Sequence, residues 1–506
     1  MPMIDRDYLP NGVREERRVS SHVIVLALIV ITVLILGAVT GLMVHIVNNG
    51  KTQPAETPLR NPAGMLYTAH SPILISGNAG FTNYSGVVWG SGTASDPYII
   101  ADWDINASTT DGISVRDTDA YFIIRDCYIH NGQTNLMGGI YLFRCANGTL
   151  SNNTCLNNRY GVELAFSRNI NITGNTCISN YFGGIDMYFS RDITLSNNVL
   201  SNNGIFIDGQ YPSEFTAYDI GTSNTVNGKP IYYYSNQSGT TVPGGAGEII
   251  LANCTGFIIE DQNLSNATVG IELAFSSDIV INNSECSNDF YGIILLSSNN
   301  STVSNIKCSN NEEGMLLAYS TNNTLWNNNC SRNLDGIQLA FSSNNTLSNN
   351  NCSSNEGYGI ALSFSNSNNT ISGNQVYNNT GYGVYIDLGS NNSVWNNTFI
   401  DNNGAGDHYD SNYPQAYDGG TNNSWNSTDG YGNYWSDWTT PDAVPPWGIV
   451  DQPYNISGSS SRDFYPLTTT TPVAIPEFEM VPLVVMALLG MIVLAGETKR
   501  KKRPGP

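Results

Sequence analysis

The pattern of apolar and polar positions in the middle of the chain repeats with a fixed period. A glycine followed by an apolar residue recurs at Gly270, Gly292, Gly314 and Gly336, each 22 residues after the last. Short alternations of apolar and polar residues follow each pair, and turns rich in Asn, Ser and Gly separate them. Alternation over so few residues is typical of short strands. A period of this length predicts a solenoid.

A parallel β-helix with one coil per repeat fits this pattern best. A leucine-rich repeat would have a longer leucine pattern with a helical return, and the GGxGxD calcium-binding repeat is absent from the sequence. Strands of successive coils would stack about 4.8 Å apart, so that each residue type forms a column along the axis. Gly204 and Gly270 are three periods apart, which predicts two less regular coils within residues 207–269.

Cysteine occupies one of the predicted columns. Val199 and Val376 take the same place in neighbouring coils, and a column shared by Cys and Val is an interior one. We therefore expect a ladder of buried thiols packed as small hydrophobes. Disulfide bonds are the alternative, because neighbouring coils lie at a bridgeable distance. The ladder comprises Cys155, Cys177, Cys286, Cys308, Cys330 and Cys352.

Asparagine is in large excess and recurs just before the cysteines. Asn tolerates left-handed backbone conformations and can bond to its stacked neighbour, so a structural ladder at a turn is predicted. This column contains Asn152, Asn283, Asn305, Asn327 and Asn349. The repeat also generates many Asn-x-Ser/Thr sequons, which are glycosylation candidates in an extracellular protein. These candidates include Asn83, Asn106, Asn236, Asn266 and Asn455.

Two apolar segments flank the repeats. Residues 22–47 form an almost uncharged run that is long enough to span a bilayer, and three arginines precede it. Residues 480–496 form a second apolar run, followed by a cluster of lysines and arginines. The positive-inside rule places residues 1–21 and the tail 497–506 in the cytoplasm. The sequence thus predicts two transmembrane helices around a large extracellular body at the cell membrane.

Domain boundaries follow from these segments. We expect a linker over residues 48–71, β-helix repeats over 72–400, a C-terminal cap over 401–467 and a Thr/Pro-rich linker over 468–479. The formal net charge is −21 and only 12% of residues are charged. Such a chain lacks the basic face that a nucleic-acid partner requires, and nucleic-acid binding is therefore excluded.

The C-terminal segment resembles a known sorting signal. Pro476-Glu477-Phe478, the apolar run and the basic tail are similar to the PEF-type signal of archaeal surface proteins. That resemblance implies cleavage near the motif and attachment to a lipid. A plain tail anchor is the alternative interpretation.

The body resembles the NosD-like right-handed parallel β-helix family. The similarity rests on the entry block that begins at Gly90, the NNTC-type coils, and the closing stretch from Gly432 to Trp438. It covers residues 72–467 and implies a right-handed single-stranded parallel β-helix. The bacterial namesake is linked to copper-site maturation, whereas anchored archaeal relatives look like surface proteins grouped with carbohydrate-binding and sugar-hydrolysing β-helices.

A copper role receives no support from the residues. Copper requires soft or imidazole ligands. Beyond the predicted buried cysteines, the body has only His70, His130 and His408, which stand far apart in sequence. We therefore expect no metal site and no cofactor.

Carbohydrate chemistry, in contrast, uses carboxylates beside aromatic platforms. On each Gly-apolar strand, the second and fourth residues after the glycine should face outward. Glu163 and Asp186 then lie on consecutive coils, about 5 Å apart, near the carboxyl separation of a retaining hydrolase. Aromatic residues surround them. The predicted strip consists of Tyr141, Phe143, Glu163, Asp186, Tyr188 and Phe206.

Two functions from different classes fit this sequence. The first is a non-catalytic, glycosylated surface rod that binds cell-envelope polysaccharide or surface proteins. The second is a polysaccharide-active hydrolase or lyase, with Glu163 and Asp186 as its catalytic candidates. Few basic residues lie in the body, and later coils replace the strip with Glu272, Ile294 and Leu316. The sequence therefore favours the first function.

Overall fold

The computed structural model describes residues 67–470. These residues form an all-β, right-handed parallel β-solenoid of about 13 turns, which confirms the predicted fold for this part of the chain. The predicted spans 22–47 and 480–496 lie outside the described residues. Between residues 67 and 470, no helix is both long and apolar enough to cross a membrane.

The solenoid is built as two segments, residues 67–226 and residues 229–470, each with three sheets. Sheet A of the first segment contains Ile73–Ser76, Ile113–Thr118, Ile140–Ser151, Tyr160–Ala165, Gly183–Tyr188 and Ile205–Asp208. Sheet B contains Val87–Trp89, Tyr98–Ala101, Phe122–Arg125, the shared Ile140–Ser151, Arg168–Thr173, Arg191–Ser196 and Tyr218–Ile220. Sheet C contains Thr68–His70, Trp103–Asn106, Tyr128–His130, Thr154–Leu156, Thr176–Ile178, Val199–Ser201 and Thr225–Val226.

The second segment repeats this arrangement. Sheet D contains Lys229–Ser235, Glu248–Ala252, Val269–Ala274, Tyr291–Leu296, Glu313–Ala318, Asp335–Ala340, Ile360–Ser363, Val384–Ile386, Ala416–Asp418 and Ser457–Gly458. Sheet E contains Ile258–Glu260, Val280–Asn282, Thr302–Ser304, Thr324–Trp326, Thr346–Ser348, Thr370–Ser372 and Ser393–Trp395. Sheet F contains Asn263–Ser265, Glu285–Ser287, Lys307–Ser309, Asn329–Ser331, Asn351–Ser353, Gln375–Tyr377, Thr398–Ile400 and Tyr434–Trp435.

A few short elements lie outside these sheets. The strands Tyr454–Asn455 and Arg462–Asp463 pair antiparallel near the C-terminal end. One α-helical turn, Ser213–Thr216, lies in the first segment, between the strands Ile205–Asp208 and Tyr218–Ile220. The 3₁₀ helices are Asn78–Gly80, Asn83–Ser85, Gln133–Asn135 and Asn402–Gly404.

An antiparallel hairpin joins the two segments. Val226, at the end of sheet C, pairs with Lys229, at the start of sheet D. The strands Lys229–Ser235 and Glu248–Ala252 then pair in parallel. They correspond in number to the two coils predicted within residues 207–269. However, they begin a second stack instead of continuing the first, so the chain direction reverses at the hairpin.

Each segment has its own apolar interior, and the two interiors meet at one end. Ile271 and Leu273 point into the second segment and are fully buried. Their neighbours on the outer face of sheet D, Ala252 and Ala274, belong to the core of the first segment. The outer face of sheet D therefore closes the open end of the first solenoid.

Buried asparagines form ladders along the interior corners. Asn328, Asn350 and Asn374 stack in successive coils and are almost completely buried. In each pair, the earlier Asn donates its backbone N–H and its side-chain amide to the Oδ1 of the later one, at 2.9–3.0 Å. The residue before each ladder position is the left-handed turn predicted from sequence, as at Asn327 and Asn349 (both φ 55°). The buried ladder thus uses the second Asn of each Asn-Asn pair, which the sequence pattern did not single out.

The six ladder cysteines lie in the solenoid interior. Cys155 is opposite Cys177, and Cys286, Cys308, Cys330 and Cys352 are opposite one another in consecutive rungs of sheet F. Val376 continues the second column, as predicted. After Cys177, however, the column continues with Leu200, while Val199 is 44% exposed. That coil is one residue longer, so the sequence alignment at Val199 was wrong by one position.

We predict that the thiols of the folded protein do not react with thiol reagents. All nine cysteines are free and buried, and burial raises the pKa of Cys127 and Cys145 to about 12. The thiolate is the reactive form, and it is scarce at these two thiols. The ladder thiols, including Cys330, whose pKa is lowered by hydrogen bonds from Cys308 and Cys352, are buried inside the solenoid, where a bulky reagent cannot reach them. We expect an aromatic disulfide reagent at pH 8 to titrate no thiol in the native protein and nine in denaturant. Fewer than nine thiols in non-reducing denaturant would indicate disulfides instead.

Candidate carbohydrate-binding site

Sheet A brings all six residues of the predicted strip onto one outer face. Tyr141, Glu163, Asp186 and Phe206 follow one another in register across four strands. Two residues further along, Phe143 and Tyr188 lie in a second column. The residues between them, such as Val162 and Leu164, point inward and are fully buried. Strand alternation therefore positions the strip.

The strip is less open than the sequence predicts. Asp186 is only 7% exposed, and Glu163 and the four aromatic side chains are half-buried. The cover comes from the second segment, because the ring of Phe206 lies 5.9 Å from that of Tyr291. The strip therefore runs into the inner corner between the two segments.

Carboxylates from sheet D cap the last strand of sheet A at this corner. The backbone N–H of Ile205 donates to both oxygens of Glu248, at 2.9 and 3.1 Å, and that of Ile207 donates to Glu272 at 3.4 Å. Backbone N–H groups that are buried without hydrogen-bond partners would destabilise the fold. These carboxylates accept the hydrogen bonds of the otherwise unpaired strand edge.

The contact between the last strand of sheet A and the outer face of sheet D, which we call the joint, corrects one expectation from the sequence. Glu272, Ile294 and Leu316 occupy the outward column of sheet D, but they are 3% exposed or less. Glu272 caps the strand Ile205–Asp208, while Ile294 and Leu316 pack in a small cluster against Phe206. These residues are thus buried contacts of the joint and do not extend the strip.

Burial sets the charge state of the strip. It raises the pKa of Asp186 well above its usual range, and the neighbouring carboxyls of Glu163 and Asp208 raise it further. Burial also raises the pKa of Glu163, which the guanidinium of Arg159 partly offsets. A carboxyl that keeps its proton can both donate and accept a hydrogen bond. Such a group suits a ligand rich in hydroxyls.

Aromatic rings and arginines complete the strip. Arg116 lies 5.1 Å from the ring centroid of Tyr141, and Arg144 lies 4.6 Å from that of Phe143. Phe166, which is 49% exposed, bridges the rings of Phe143 and Tyr188 at 5.9 and 5.4 Å. Phe166 was not predicted from the sequence. The recurring signal is an aromatic residue before serine at the end of several strands. It also takes the left-handed conformation at Phe189, Phe275, Tyr319 and Phe341.

A groove of about 660 Å³ lies beside the strip, between the two segments. Phe182 and Phe290 line it, with ring centroids 5.2 Å apart, and Arg332 and Glu356 add charged groups. Asp289 also lines it and stands in an asparagine ladder, where it accepts from the backbone of Ala267 at 2.8 Å. Repeat alignment alone could have singled out this Asp, because the next coils have Asn in its place.

The predicted glycosylation candidates lie on the surface. Asn83, Asn106, Asn236, Asn266 and Asn455 all have exposed side chains. The hydroxyl partner of Asn266, Thr268, is instead buried and accepts the backbone N–H of Gly204 at 2.8 Å.

Two family models match the chain. One, described as periplasmic copper-binding protein (NosD), matches residues 222–440, and the other, described as right handed beta helix region, matches residues 66–246. No curated protein matches the chain.

Several solved β-helix structures are similar. The A-module of mannuronan C-5 epimerase AlgE6 from Azotobacter vinelandii is 14% identical, covering 72% of this chain and 91% of that one, with a TM-score of 0.26. DFA-IIIase from Arthrobacter chlorophenolicus A6, solved in complex with DFA-III, is 13% identical, covering 53% of this chain and 72% of that one, with a TM-score of 0.31.

The donor atoms do not fit the copper that the first family description implies. Within residues 67–470, no group of three or more His, Cys, Asp or Glu side chains is arranged to hold a metal ion. His130 bonds to Asp104 at 2.9 Å, and the thiols lie inside the solenoid. Copper sites require converging soft or imidazole ligands, which this arrangement does not supply.

Proposed function

Because this chain belongs to the NosD-like right-handed β-helix family, we propose that it is a non-catalytic surface protein that binds cell-envelope polysaccharide. In this proposal, the predicted spans 22–47 and 480–496 anchor it in the cell membrane, and the solenoid lies outside. One observation carries the proposal: the outer face of sheet A holds aromatic rings, two carboxyls and two arginines in one strip.

The chemistry of the strip supports binding of a neutral or weakly acidic glycan. Aromatic faces pack against the C–H faces of sugar rings, and planar polar groups select the hydroxyls. Successive rungs are about 4.8 Å apart, which suits a ligand whose groups repeat along a chain. The strands fix the side chains before binding, so little conformational entropy is lost.

Hydrolysis is the weaker candidate. Two-carboxyl hydrolysis requires environments that push the pKa values of the acid and the nucleophile apart. Here burial pushes the pKa of Glu163 and of Asp186 in the same direction. Asp186 is only 7% exposed, which leaves little room for a substrate and an attacking water beside it.

Removing two rings from the strip should abolish most of the binding. We expect Tyr141→Ala combined with Phe143→Ala to weaken the affinity for oligosaccharides from the native cell envelope by about tenfold or more, since truncated aromatic anchors typically cost 1.4 kcal/mol or more. Calorimetry on the detergent-solubilised full-length protein would measure this. Trp326→Ala is the matched control, because Trp326 is 43% exposed on sheet E and lies outside the strip.

Two outcomes would count against the proposal. Equal losses of affinity in the double variant and in Trp326→Ala would show that the strip is not the binding site. Release of reducing ends by the native protein, abolished in Glu163→Gln, would favour the hydrolase.

A further inference from the structure

Six sequon asparagines stack in consecutive coils along one corner of the second segment. We call them the sequon column: Asn300, Asn322, Asn344, Asn368, Asn391 and Asn422. All six are exposed and left-handed, with φ between 54° and 58°. Backbone bonds such as Asn322 N–H to the Ser343 carbonyl, at 3.3 Å, hold successive rungs in register. Each position is therefore the same turn, repeated.

A second left-handed column shows that sequons are not inevitable at such turns. Asn283, Asn305, Asn327 and Asn349 have the same backbone conformation, but none of these four begins an Asn-x-Ser/Thr sequence. The same column continues through Gly373 to Asn396, which does begin one. Some of their side chains bond within the protein, as Asn327 does to Asn305 at 2.7 Å. The two columns share a conformation and differ in chemistry.

The reactive groups of the sequon column are accessible. Among residues 67–470, none of the six side-chain amides makes a hydrogen bond to another group. The hydroxyl residues two positions later are half-buried and thus reachable from solvent: Thr302, Thr324, Thr346, Thr370, Ser393 and Ser424. The first five begin strands of sheet E, which holds their backbone extended.

Other sequons lack this accessibility. Asn396 begins a sequon, but its side chain is 5% exposed. Asn266 is exposed, yet the hydroxyl of its partner Thr268 is buried at the joint between the segments. A transferase acting on the folded chain would need both groups, so the structure separates usable sequons from unusable ones.

We propose that the sequon column is a row of N-glycosylation sites. In each transfer, the Asn Nδ2 forms a bond to the anomeric carbon of an oligosaccharide carried on a lipid phosphate. The bond between that carbon and the phosphate oxygen breaks, the lipid phosphate leaves with the electron pair, and the amide proton passes to a base of the transferase. The inference rests on the proposed extracellular location, because the transferase and its lipid-linked donor act on exported chains.

Glycopeptide mass spectrometry of the full-length protein, purified from the cells that naturally make it, tests the proposal. We expect glycan on the sequon column and none on Asn266 or Asn396. Thr346→Val should remove the glycan from Asn344, and Thr346→Ser should keep it, because serine restores the hydroxyl with little change in shape.

The outcomes test the glycosylation of the sequon column separately from the extracellular location. Glycan on Asn106 and Asn455 with a bare column would overturn the inference and leave the extracellular location intact. A protein without glycan at any sequon would overturn the inference and remove this support for the location. Equal occupancy of Asn266, Asn396 and the column would contradict selection by the folded structure.

Discussion

Replacing Asn350 by alanine is expected to lower the free energy of unfolding by about 4 kcal/mol. The Oδ1 of Asn350 accepts the backbone N–H and the side-chain amide of Asn328, both at 3.0 Å, and its Nδ2 donates to the Leu325 carbonyl at 2.9 Å. Alanine would leave the Asn328 N–H and the Leu325 carbonyl unpaired away from water. Each buried polar group without a partner costs roughly 1–3 kcal/mol.

The adjacent residue supplies a matched control. Asn349 is exposed with φ 55°, and the next coil has Gly373 in the same place, with φ 68°. Asn349→Gly should therefore change stability by less than about 0.5 kcal/mol. Denaturant unfolding followed by circular dichroism would measure both variants. Similar losses for the two would contradict the distinction between a buried ladder and an exposed turn.

The repeat made the columns predictable. A glycine, an inward apolar residue and an outward residue recur at nearly constant spacing, so the register of Glu163 against Asp186 followed from counting. The strand period of two then placed Tyr141 and Phe206 on the same face. Counting failed where a coil gains a residue, as it does between Cys177 and Leu200.

The joint between the segments was not predictable from the repeat, because residues 207–247 interrupt it. A physical signal was nevertheless present. Ile250, Ile294 and Leu316 occupy outward positions of sheet D, where a solvated face would have polar residues. Apolar outward residues in three nearby coils indicate a covered face. The same cover explains why Asp186 is buried although the pattern placed it outward.

The full-length protein is expected to be more stable at pH 5 than at pH 8, because several carboxyls are buried at the joint. Burial raises the pKa of Asp208 to about 7, with Glu214 adding to the effect. It also raises the pKa of Asp186, Glu248 and Glu272 well above their usual ranges. Each of these groups binds its proton more tightly in the folded state than in the unfolded chain.

The direction of the pH dependence follows from proton counting. An unfolded Asp has a pKa of about 3.9, so between roughly pH 4 and pH 7 the folded state binds more protons than the unfolded state. The contribution of these carboxyls to stability is therefore fully present at the low end of this window, and it is lost as the pH rises through their folded pKa. Above pH 7, Asp208 is ionised at a buried site beside Glu214.

Asp208→Asn tests this mechanism, since the amide keeps the shape and cannot ionise. At 1.36 kcal/mol per pKa unit, it should raise the free energy of unfolding at pH 8 by up to about 4 kcal/mol and have little effect at pH 4. Glu285→Gln is the control, because Lys307, 2.6 Å away, lowers the pKa of Glu285, which is the opposite of the effect of burial on Asp208. Urea unfolding at pH 4, 5, 6, 7 and 8 would measure both variants. A wild-type stability that stays constant from pH 5 to pH 8 would contradict the buried-carboxyl joint, since the ionisation of Asp208 must then cost nothing.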